Sequence, residues 1–329
     1  MEQEIKALED NGTWQIMKLP ERKSVIGCKW VFKIKYKADG MVDRYKARLV
    51  AKGYNQTEGI DYQETFAPVV KMVTVRAIIA LAAIEVWPIF QMDVFNAFLQ
   101  GDLYEEVYME LPKGFKGAEQ NCVCKLVKSL YCLKQASRQW NAKLTEALCK
   151  FGYTQSLLDY SLFTKMSDTR MVIVLVYVDY LLIKGSEPLL IQATKQVLHS
   201  HFKMNDLGEL KYFLGIEFCR SESGVVMNQR KYALELLSEA GPAGAQLVFT
   251  PLECNVKLTS VAYNTSNVDP LFLDITTYQR MIGKLLYLTN TRPDIAFAVQ
   301  NLSQFMQQPK HSHWNAALRV IKYIKGSPG

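Results

Sequence analysis

Two neighbouring stretches near the start of the chain alternate hydrophobic and polar residues. Residues 30–37 alternate apolar with basic side chains, and residues 41–51 alternate again after turn-forming residues at 38–40. A period of two is typical of a β-strand with one face in water. The pattern predicts a β-hairpin with aromatic residues interleaved among the basic ones. Three basic side chains of its second strand are predicted to share one face: Arg44, Lys46 and Arg48.

Longer apolar segments predict the helices. Residues 69–86 are mostly apolar and stop at Trp87-Pro88, which predicts a mostly buried helix. In residues 135–151 the apolar positions recur at i, i+4, i+8 and i+11, and Gly152 follows as a helix-ending residue. Further helices are predicted over residues 188–202, 276–290, 293–307 and 312–325.

Short apolar runs bounded by polar residues predict the remaining strands. One strand covers residues 89–94 and leads into a short helix from Asn96. A hairpin is predicted from residues 171–178 and 181–183. A second hairpin is predicted from residues 212–219 and 225–228 with its turn at 222–224, and the polar residues 259–269 are interpreted as a linker. Because mixed elements come first and helices last, the predicted class is α+β.

Composition narrows the class of protein. The chain has 329 residues, of which 49% are hydrophobic and 22% charged, so a large core is available and global disorder is excluded. A membrane-spanning helix needs about 20 apolar residues, and no run approaches that length, so no membrane span is predicted. Seven scattered cysteines favour reduced thiols and a cytoplasmic or nuclear location. The two His-Ser-His pairs, at 199–201 and 311–313, are interpreted as solvated helix ends, with metal binding the less favoured alternative.

Positive charge is concentrated in the predicted hairpin. The whole chain has a net charge of +7, whereas residues 18–53 contain 11 Lys or Arg against 3 Asp or Glu, a net of +8. A cationic strand pair suits a phosphate backbone or a triphosphate. The alternative is an ordinary solvated lysine-rich edge.

Two aspartates stand where a carboxylate is costly. Asp93 ends an apolar strand, and Asp179 interrupts an apolar β stretch. A buried carboxylate needs water, hydrogen bonds or a cation. Strand-end carboxylates that hold divalent ions serve phosphoryl transfer, and Mg²⁺ binds with few carboxylates. Together with the cationic hairpin, they suggest a nucleotidyl transferase, with another kind of α/β enzyme as the alternative.

Ordered motifs along nearly the whole chain resemble the reverse transcriptase of copia-type LTR retrotransposons. The motifs are RYKARLVAKGYNQTEGIDYQETFAPVVK (44–71), QMDVFNAFLQGDLYEEVYMELPKGF (91–115), KLVKSLYCLKQASRQWN (125–141), LVYVDYLLI (175–183), LGELKYFLGIEF (207–218) and YQRMIGKLLYLTNTRPDIAFAV (278–299). The resemblance implies a right-hand polymerase fold, with fingers and palm over residues 14–255 and a helical thumb or connection over 256–329. It also implies two Mg²⁺ ions, an RNA or DNA primer–template and deoxynucleoside triphosphates.

The resemblance assigns roles to individual residues. Asp93 and Asp179 match catalytic, metal-binding aspartates. Five residues match nucleotide-binding positions: Lys46, Arg48 and Lys52 in the fingers, Phe98 as an aromatic gate against a 2′-hydroxyl, and Gln135 in the motif that positions template and nucleotide. Simpler alternatives exist for three of them, since Phe98 could be a core residue, Lys52 a solvated lysine and Gln135 a first-turn helix residue.

Several positions depart from the family pattern. Tyr180 replaces the second aspartate of the palm hairpin, and a phenol, neutral at pH 7, cannot replace a carboxylate as an Mg²⁺ ligand. Three further departures are Cys132 for glycine, Ser137 for proline and Gln100 for histidine. We therefore expect an inactivated or strongly impaired polymerase. The alternatives are a non-catalytic nucleic-acid-binding remnant and a product that does not fold stably.

The ends of the chain complete this expectation. Residues 1–14 resemble the middle of a retrotransposon polyprotein, so Met1 is expected to be an internal methionine adopted as a start. The chain is expected to stop just before an RNase H domain. RNase H and integrase activities would then come from other chains.

Overall fold

The computed structural model describes residues 1–37, 39–116, 121–167, 170–221, 224–241, 247–261 and 269–329. The chain forms two compact units, residues 1–210 and residues 211–329. Helices and strands occur in both units, so the α+β class is confirmed. Among the described residues, no helix has the length and apolar character needed to cross a membrane.

The first unit has four helices and twelve strands within its described residues. The helices are α1 (Glu2–Asp10), α2 (Met72–Ile84), α3 (Ala136–Lys150) and α4 (Pro188–His201). The strands are β1 (Trp14–Lys18), β2 (Val25–Ile26), β3 (Cys28–Tyr36), β4 (Val42–Ala51), β5 (Ile89–Val94), β6 (Tyr108–Met109), β7 (Cys122–Leu126), β8 (Thr154–Gln155), β9 (Leu162–Ser167), β10 (Arg170–Tyr177), β11 (Tyr180–Gly185) and β12 (Met204–Glu209). Two short 3₁₀ helices are Gly53–Asn55 and Ala97–Gln100.

A six-stranded antiparallel sheet forms the centre of this unit. Its strand order is β12-β5-β11-β10-β9-β8. Alternate residues of β5, β10 and β11, such as Met92, Val174 and Leu181, pack with apolar residues of α3 and α4 in one buried core. The helices cover one face of the sheet because Trp140, Leu144 and neighbouring apolar residues of α3 recur on a single helical stripe.

The opposite face of the sheet carries a fully buried lysine. Lys184 of β11 has no exposed surface, and its ammonium group donates to the Ile78 carbonyl of α2 at 3.2 Å. The same ammonium lies 4.9 Å from the centre of the Trp87 ring. Helix α2 therefore contacts the face that α3 and α4 leave open.

A second core lies under the four-stranded sheet β1-β7-β6-β2. Leu8 of α1 packs there with Trp14, Leu126 and Leu49, so the basic hairpin is anchored through β4 to this core. The hairpin itself is the two-stranded sheet β3-β4, with Trp30 opposite Leu49 and Lys33 opposite Lys46.

The second unit combines a small sheet with helices. Its strands are β13 (Tyr212–Phe213), β14 (Ile216–Ser221) and β15 (Gly224–Asn228), and its helices are α5 (Arg230–Glu239), α6 (Ile275–Leu288), α7 (Ala296–Ser303) and α8 (His311–Gly326), with a 3₁₀ helix at Pro293–Ile295. Side chains of α5 to α8 form one buried core. Within it the Tyr278 hydroxyl donates to the Leu302 carbonyl at 2.8 Å.

Most predicted elements are present, and some of the expectations needed correction. The first strand of the second hairpin is interrupted, because Leu214 and Gly215 both adopt positive φ (52° and 72°) and separate β13 from β14. The helix expected over 293–307 is a 3₁₀ turn followed by the shorter α7. The short helix after Asn96 is 3₁₀ rather than α-helical.

Some expectations stay open. Parts of the predicted turns and of the predicted linker, residues 38, 222–223 and 262–268, lie outside the described residues. The boundary between residues 255 and 256, which separates the predicted fingers and palm from the predicted thumb or connection, stays a prediction.

Candidate active site

Strand pairing brings the two predicted carboxylates to the same end of the central sheet. Strand β11 pairs with β5 so that Tyr180 stands directly opposite Asp93. Asp179 precedes Tyr180 in the chain, and its carbonyl accepts a 2.8 Å hydrogen bond from the Val94 amide. The expected proximity of Asp93 and Asp179 is therefore present in the structure.

The turn that carries Asp179 is backbone-strained. Tyr177 pairs with Tyr180, so only Val178 and Asp179 form the turn. Val178 has φ of 55°, a value rare for a β-branched residue, because two-residue hairpins need a positive φ that glycine adopts more easily. The Trp140 indole of α3 donates to the Val178 carbonyl at 2.8 Å. This bond from a buried ring holds the strained turn in place.

The Tyr180 side chain occupies the position beside Asp93. Met92 and Val94 point into the core, so Asp93 points to the opposite face of the sheet, and its cross-strand partner Tyr180 points with it. Directly opposed residues on antiparallel strands have Cβ atoms about 5 Å apart. The phenol is thus an immediate neighbour of the Asp93 carboxylate.

The charges at this sheet end influence one another. Burial raises the pKa of the Asp179 carboxyl, and the nearby Asp93 carboxylate raises it further, while Arg48 acts in the opposite direction. Burial also raises the pKa of the Tyr180 phenol, with smaller contributions from both aspartates. The group beside the two carboxylates is therefore neutral at physiological pH.

Arg48 is connected to the residues just after β5 through a residue that we did not predict, Tyr131. The Arg48 guanidinium lies over the Tyr131 ring at 4.8 Å from its centre. The Tyr131 hydroxyl donates to Asn96 Oδ1 at 3.1 Å, just after β5. The Phe98 ring meets the Tyr131 ring edge-on with centres 5.6 Å apart. Tyr131 thereby links the cationic hairpin to the end of β5.

The three predicted fingers cations have different surroundings. Arg48 is half-buried, and its Nε has no hydrogen-bond partner within the described part of the chain. Lys46 is also half-buried and shares a hairpin face with Arg48; burial, followed by repulsion from Arg48, lowers its pKa. The Lys52 side chain lies along Gly27, where a Cβ would come within 2.8 Å of Lys52 Cδ.

Phe98 and Gln135 both have structural contacts. Phe98 is half-buried and packs against both cores of the first unit. Gln135 is fully buried, its Oε1 accepts from Gln56 at 3.1 Å, and its Nε2 donates to the Asp61 carbonyl at 3.0 Å. The Gln135 amide therefore holds the loop that follows β4.

The departures from the family pattern also have structural consequences. Cys132 has φ of 69°, so the backbone is left-handed at a position where the chain has a Cβ. A Cβ on Gly53 would come within 1.9 Å of the Cys132 carbonyl oxygen, so the two segments are in close contact. Ser137 Oγ donates to the Thr65 carbonyl at 3.3 Å, and Gln100 Nε2 donates to the Phe95 carbonyl at 2.8 Å.

The donor set at the sheet end fits a hard cation but is short of ligands for two. No group of three or more His, Cys, Asp or Glu side chains that could hold a metal ion occurs among the described residues. Asp93 and Asp179 supply carboxylate oxygens, which Mg²⁺ prefers. Asp102, the next acidic residue along the chain, pairs with Lys143 at 2.8 Å instead. Two carboxylates suit one Mg²⁺ that keeps several waters.

Comparisons with known proteins agree with the motifs. A family model described as reverse transcriptase (RNA-dependent DNA polymerase) matches residues 11–254. The chain is 44% identical to the retrovirus-related Pol polyprotein from transposon RE1 of Arabidopsis thaliana, and 40% identical to that from transposon TNT 1-94 of Nicotiana tabacum. Both alignments cover 100% of this chain, but the chain spans only 22% and 25% of those relatives.

A solved structure also aligns with the chain. It is a foamy viral protease–reverse transcriptase in complex with double-stranded DNA, with a TM-score of 0.46 and 12% identity over 97% of this chain and 46% of the other.

Proposed function

Since the chain belongs to the reverse transcriptase family of copia-type retrotransposons, we propose that it is a template-directed DNA polymerase domain whose chemistry is lost or strongly impaired. The lost or impaired chemistry is inferred from the pairing of Tyr180 with Asp93. The site keeps two carboxylates and a cationic face, and a neutral phenol stands where the family pattern has its third carboxylate.

We assign the regions of a right-hand polymerase to this chain as part of the proposal. Residues 14–255 would form the fingers and palm, with the catalytic carboxylates on the palm sheet and the basic hairpin in the fingers. Residues 256–329 would form the helical thumb or connection. The helical content of α6, α7 and α8 supports the second assignment.

Asp93 and Asp179 would hold Mg²⁺ at the sheet end. When bound, the metal lowers the pKa of a primer 3′-hydroxyl and neutralises charge on the triphosphate. The burial that raises the pKa of Asp179 disfavours its charged form, and a bound cation offsets that cost. Tyr180 contributes neither charge nor a carboxylate oxygen.

The cationic residues would bind the triphosphate. Arg48 supports this role best, because its half-buried guanidinium presents a buried Nε without a hydrogen-bond partner in the described residues. Lys46 adds charge on the same hairpin face, and Lys52 lies at the base of the hairpin. Phe98, which packs on Tyr131, would exclude a ribose 2′-hydroxyl by bulk. Gln135 would act indirectly, by holding the loop after β4.

The proposed partners follow from this chemistry. They are an RNA or DNA primer–template and deoxynucleoside triphosphates. The proposed compartment is the cytoplasm or the nucleus.

Primer extension on an RNA template with Mg²⁺ tests the proposal. The Tyr180→Asp variant is compared with the unmodified chain, and Tyr104→Asp, at an exposed tyrosine of the same unit, is the matched control. We expect extension by Tyr180→Asp alone, at a rate on the order of 10³-fold or more above the unmodified chain, because members of such a site act as a unit. A second exchange, Asp179→Asn, should abolish that gain. Equal extension by the unmodified chain and Tyr180→Asp would refute the role of Tyr180.

A non-catalytic nucleic-acid-binding protein is the second candidate function. The observation that favours it is the basic face of β3 and β4, which does not depend on the carboxylates. Binding of a primer–template should then weaken linearly with log salt, with a slope that reflects several phosphate contacts. If Tyr180→Asp restores no extension while this binding persists, the second candidate replaces the first.

A further inference from the structure

The β3-β4 hairpin has two chemically different faces. Directly paired residues share a face, and the pairs Lys33–Lys46 and Lys35–Arg44 therefore place their cations together. The aromatic residues that alternate with these cations in sequence lie on the other face. The predicted cationic face is thus confirmed, but the interleaved aromatic rings are not part of it.

The outer part of the aromatic face is open to solvent. Phe32 is 68% exposed, Tyr36 61% and Tyr45 80%. The inner part of the same face, with Trp30 and Leu49, packs into the core under the four-stranded sheet. β3 and β4 pair only with each other among the described residues, and the exposure of the outer rings shows that no described element covers them. Exposed contiguous aromatic surface of this kind indicates a binding surface.

We propose that this outer aromatic face, defined by Phe32, Tyr36 and Tyr45, binds the unpaired bases of a single-stranded nucleic acid by stacking. The proposal rests on the proposed function, because it names the part of the nucleic acid that this face contacts. The two faces of the hairpin then serve different ligands, with Arg48 on the cationic face acting on Asp179 and the rings of the other face open to an unpaired strand.

Charge identifies the occupant of this face. Residues 18–53 carry a net charge of +8, which favours a polyanion and opposes a second copy of the same hairpin. The sheet is a single layer, and the Debye length is about 8 Å at physiological salt, so cations on one face attract phosphates passing along the other. Ring faces stack on every base, whereas a protein partner would need a complementary apolar surface.

Binding of a fluorescein-labelled oligothymidylate about a dozen nucleotides long tests the proposal, with an abasic oligomer of equal length as the second probe. The abasic strand keeps the phosphates and lacks the bases. The test variant is the triple exchange Phe32→Leu, Tyr36→Leu and Tyr45→Leu, which keeps apolar side chains on the strands. The matched control is Tyr104→Leu with Phe297→Leu, two aromatic residues exposed elsewhere.

The unmodified chain and the matched control should both bind oligothymidylate at least about tenfold more tightly than the abasic strand, since stacking of one base supplies roughly 5- to 160-fold. The triple variant should bind the two probes equally while keeping its thermal unfolding profile. A separate variant, Lys33→Gln with Lys35→Gln, should lower the affinity for both probes by the same factor.

Three results would overturn the proposal. One is an unchanged preference for bases in the triple variant, and another is an equal loss of affinity for both probes. The third is sedimentation of the unmodified chain and the matched control as dimers while the triple variant sediments as a monomer. Failure of the proposed function is distinguishable, because Tyr180→Asp would then extend no primer even where base-dependent binding persists.

Discussion

The buried Lys184 makes the stability of the first unit depend on alkaline pH. Its side chain has no exposed surface, and burial lowers its pKa from the ordinary 10.5 to about 8. The compensating contacts are one backbone carbonyl and the Trp87 ring. We therefore expect the charged form to destabilise the native state, and Lys184→Met, of similar length and without charge, to remove that cost.

The sign and size of the effect follow from linkage. Between pH 8 and 10.5 the unfolded chain holds the lysine proton and the folded chain does not, so stability rises with pH in this window. The cost of the charged lysine is about 3 kcal/mol at pH 7 and falls to about 1.4 kcal/mol at pH 9.5. Lys184→Met lacks the two contacts at every pH and has no group to titrate at this position. From pH 7 to pH 9.5 the parent should therefore gain about 2 kcal/mol in free energy of unfolding relative to Lys184→Met.

Denaturant unfolding of the parent and Lys184→Met at pH 7.0 and pH 9.5 measures this difference directly. Thiols and other groups that titrate in the range contribute equally to both proteins and cancel. Lys195→Met is a useful contrast. The buried Lys195 pairs with Asp206 at 2.8 Å, so this exchange should destabilise the protein at pH 7. Parallel pH profiles for the parent and Lys184→Met would refute the lowered pKa of Lys184.

Three further predictions concern the residues between the hairpin and α3. Cys132→Gly should stabilise the chain by about 0.5–1 kcal/mol in thermal unfolding, because it relieves a left-handed backbone at an exposed side chain; a loss of stability would contradict the strain. Gly53→Ala should destabilise by about 3 kcal/mol or more and lower soluble yield, since its Cβ meets the Cys132 carbonyl; an unchanged melting temperature would exclude that contact. In the Tyr180→Asp background, Tyr131→Leu should raise KM for nucleotide by about tenfold or more with little change in kcat, because Arg48 loses its ring contact, whereas Tyr131→Phe should retain most affinity; equal effects of the two exchanges would locate the role in the hydroxyl.

Local patterns were sufficient for the elements that carry the carboxylates. The apolar residues of β5, β10 and β11 are grouped in short runs, so these strands could be predicted from their own segments, whereas the proximity of Asp93 and Asp179 was a hypothesis supported by the resemblance. The β3-β4 hairpin was equally clear from its period of two. The pattern of a few consecutive residues determines each of these elements, so each could be predicted from its own segment.

Contacts across long sequence separations could not be predicted in this way. Tyr131 acquires its importance from Arg48, more than eighty residues earlier, and nothing in its own segment indicates that contact. The pairing of β1 with β7 joins Trp14 to Leu126, and neither strand shows a strict alternation. The alternative for Gln135 was a first-turn helix residue, and its own segment does not indicate that Gln56 and the Asp61 carbonyl satisfy a buried amide there.

The strained turn at Val178 extends the set of changes that would disrupt the proposed metal site. The turn that carries Asp179 is held by the Trp140 indole, whose helix begins immediately after the segment that contains Cys132 and Gln135. A substitution that shifts the start of that helix would displace the turn while both aspartates remain in the sequence. Loss of function in copies of such a chain should therefore be judged by the integrity of α3 as well as by counting carboxylates.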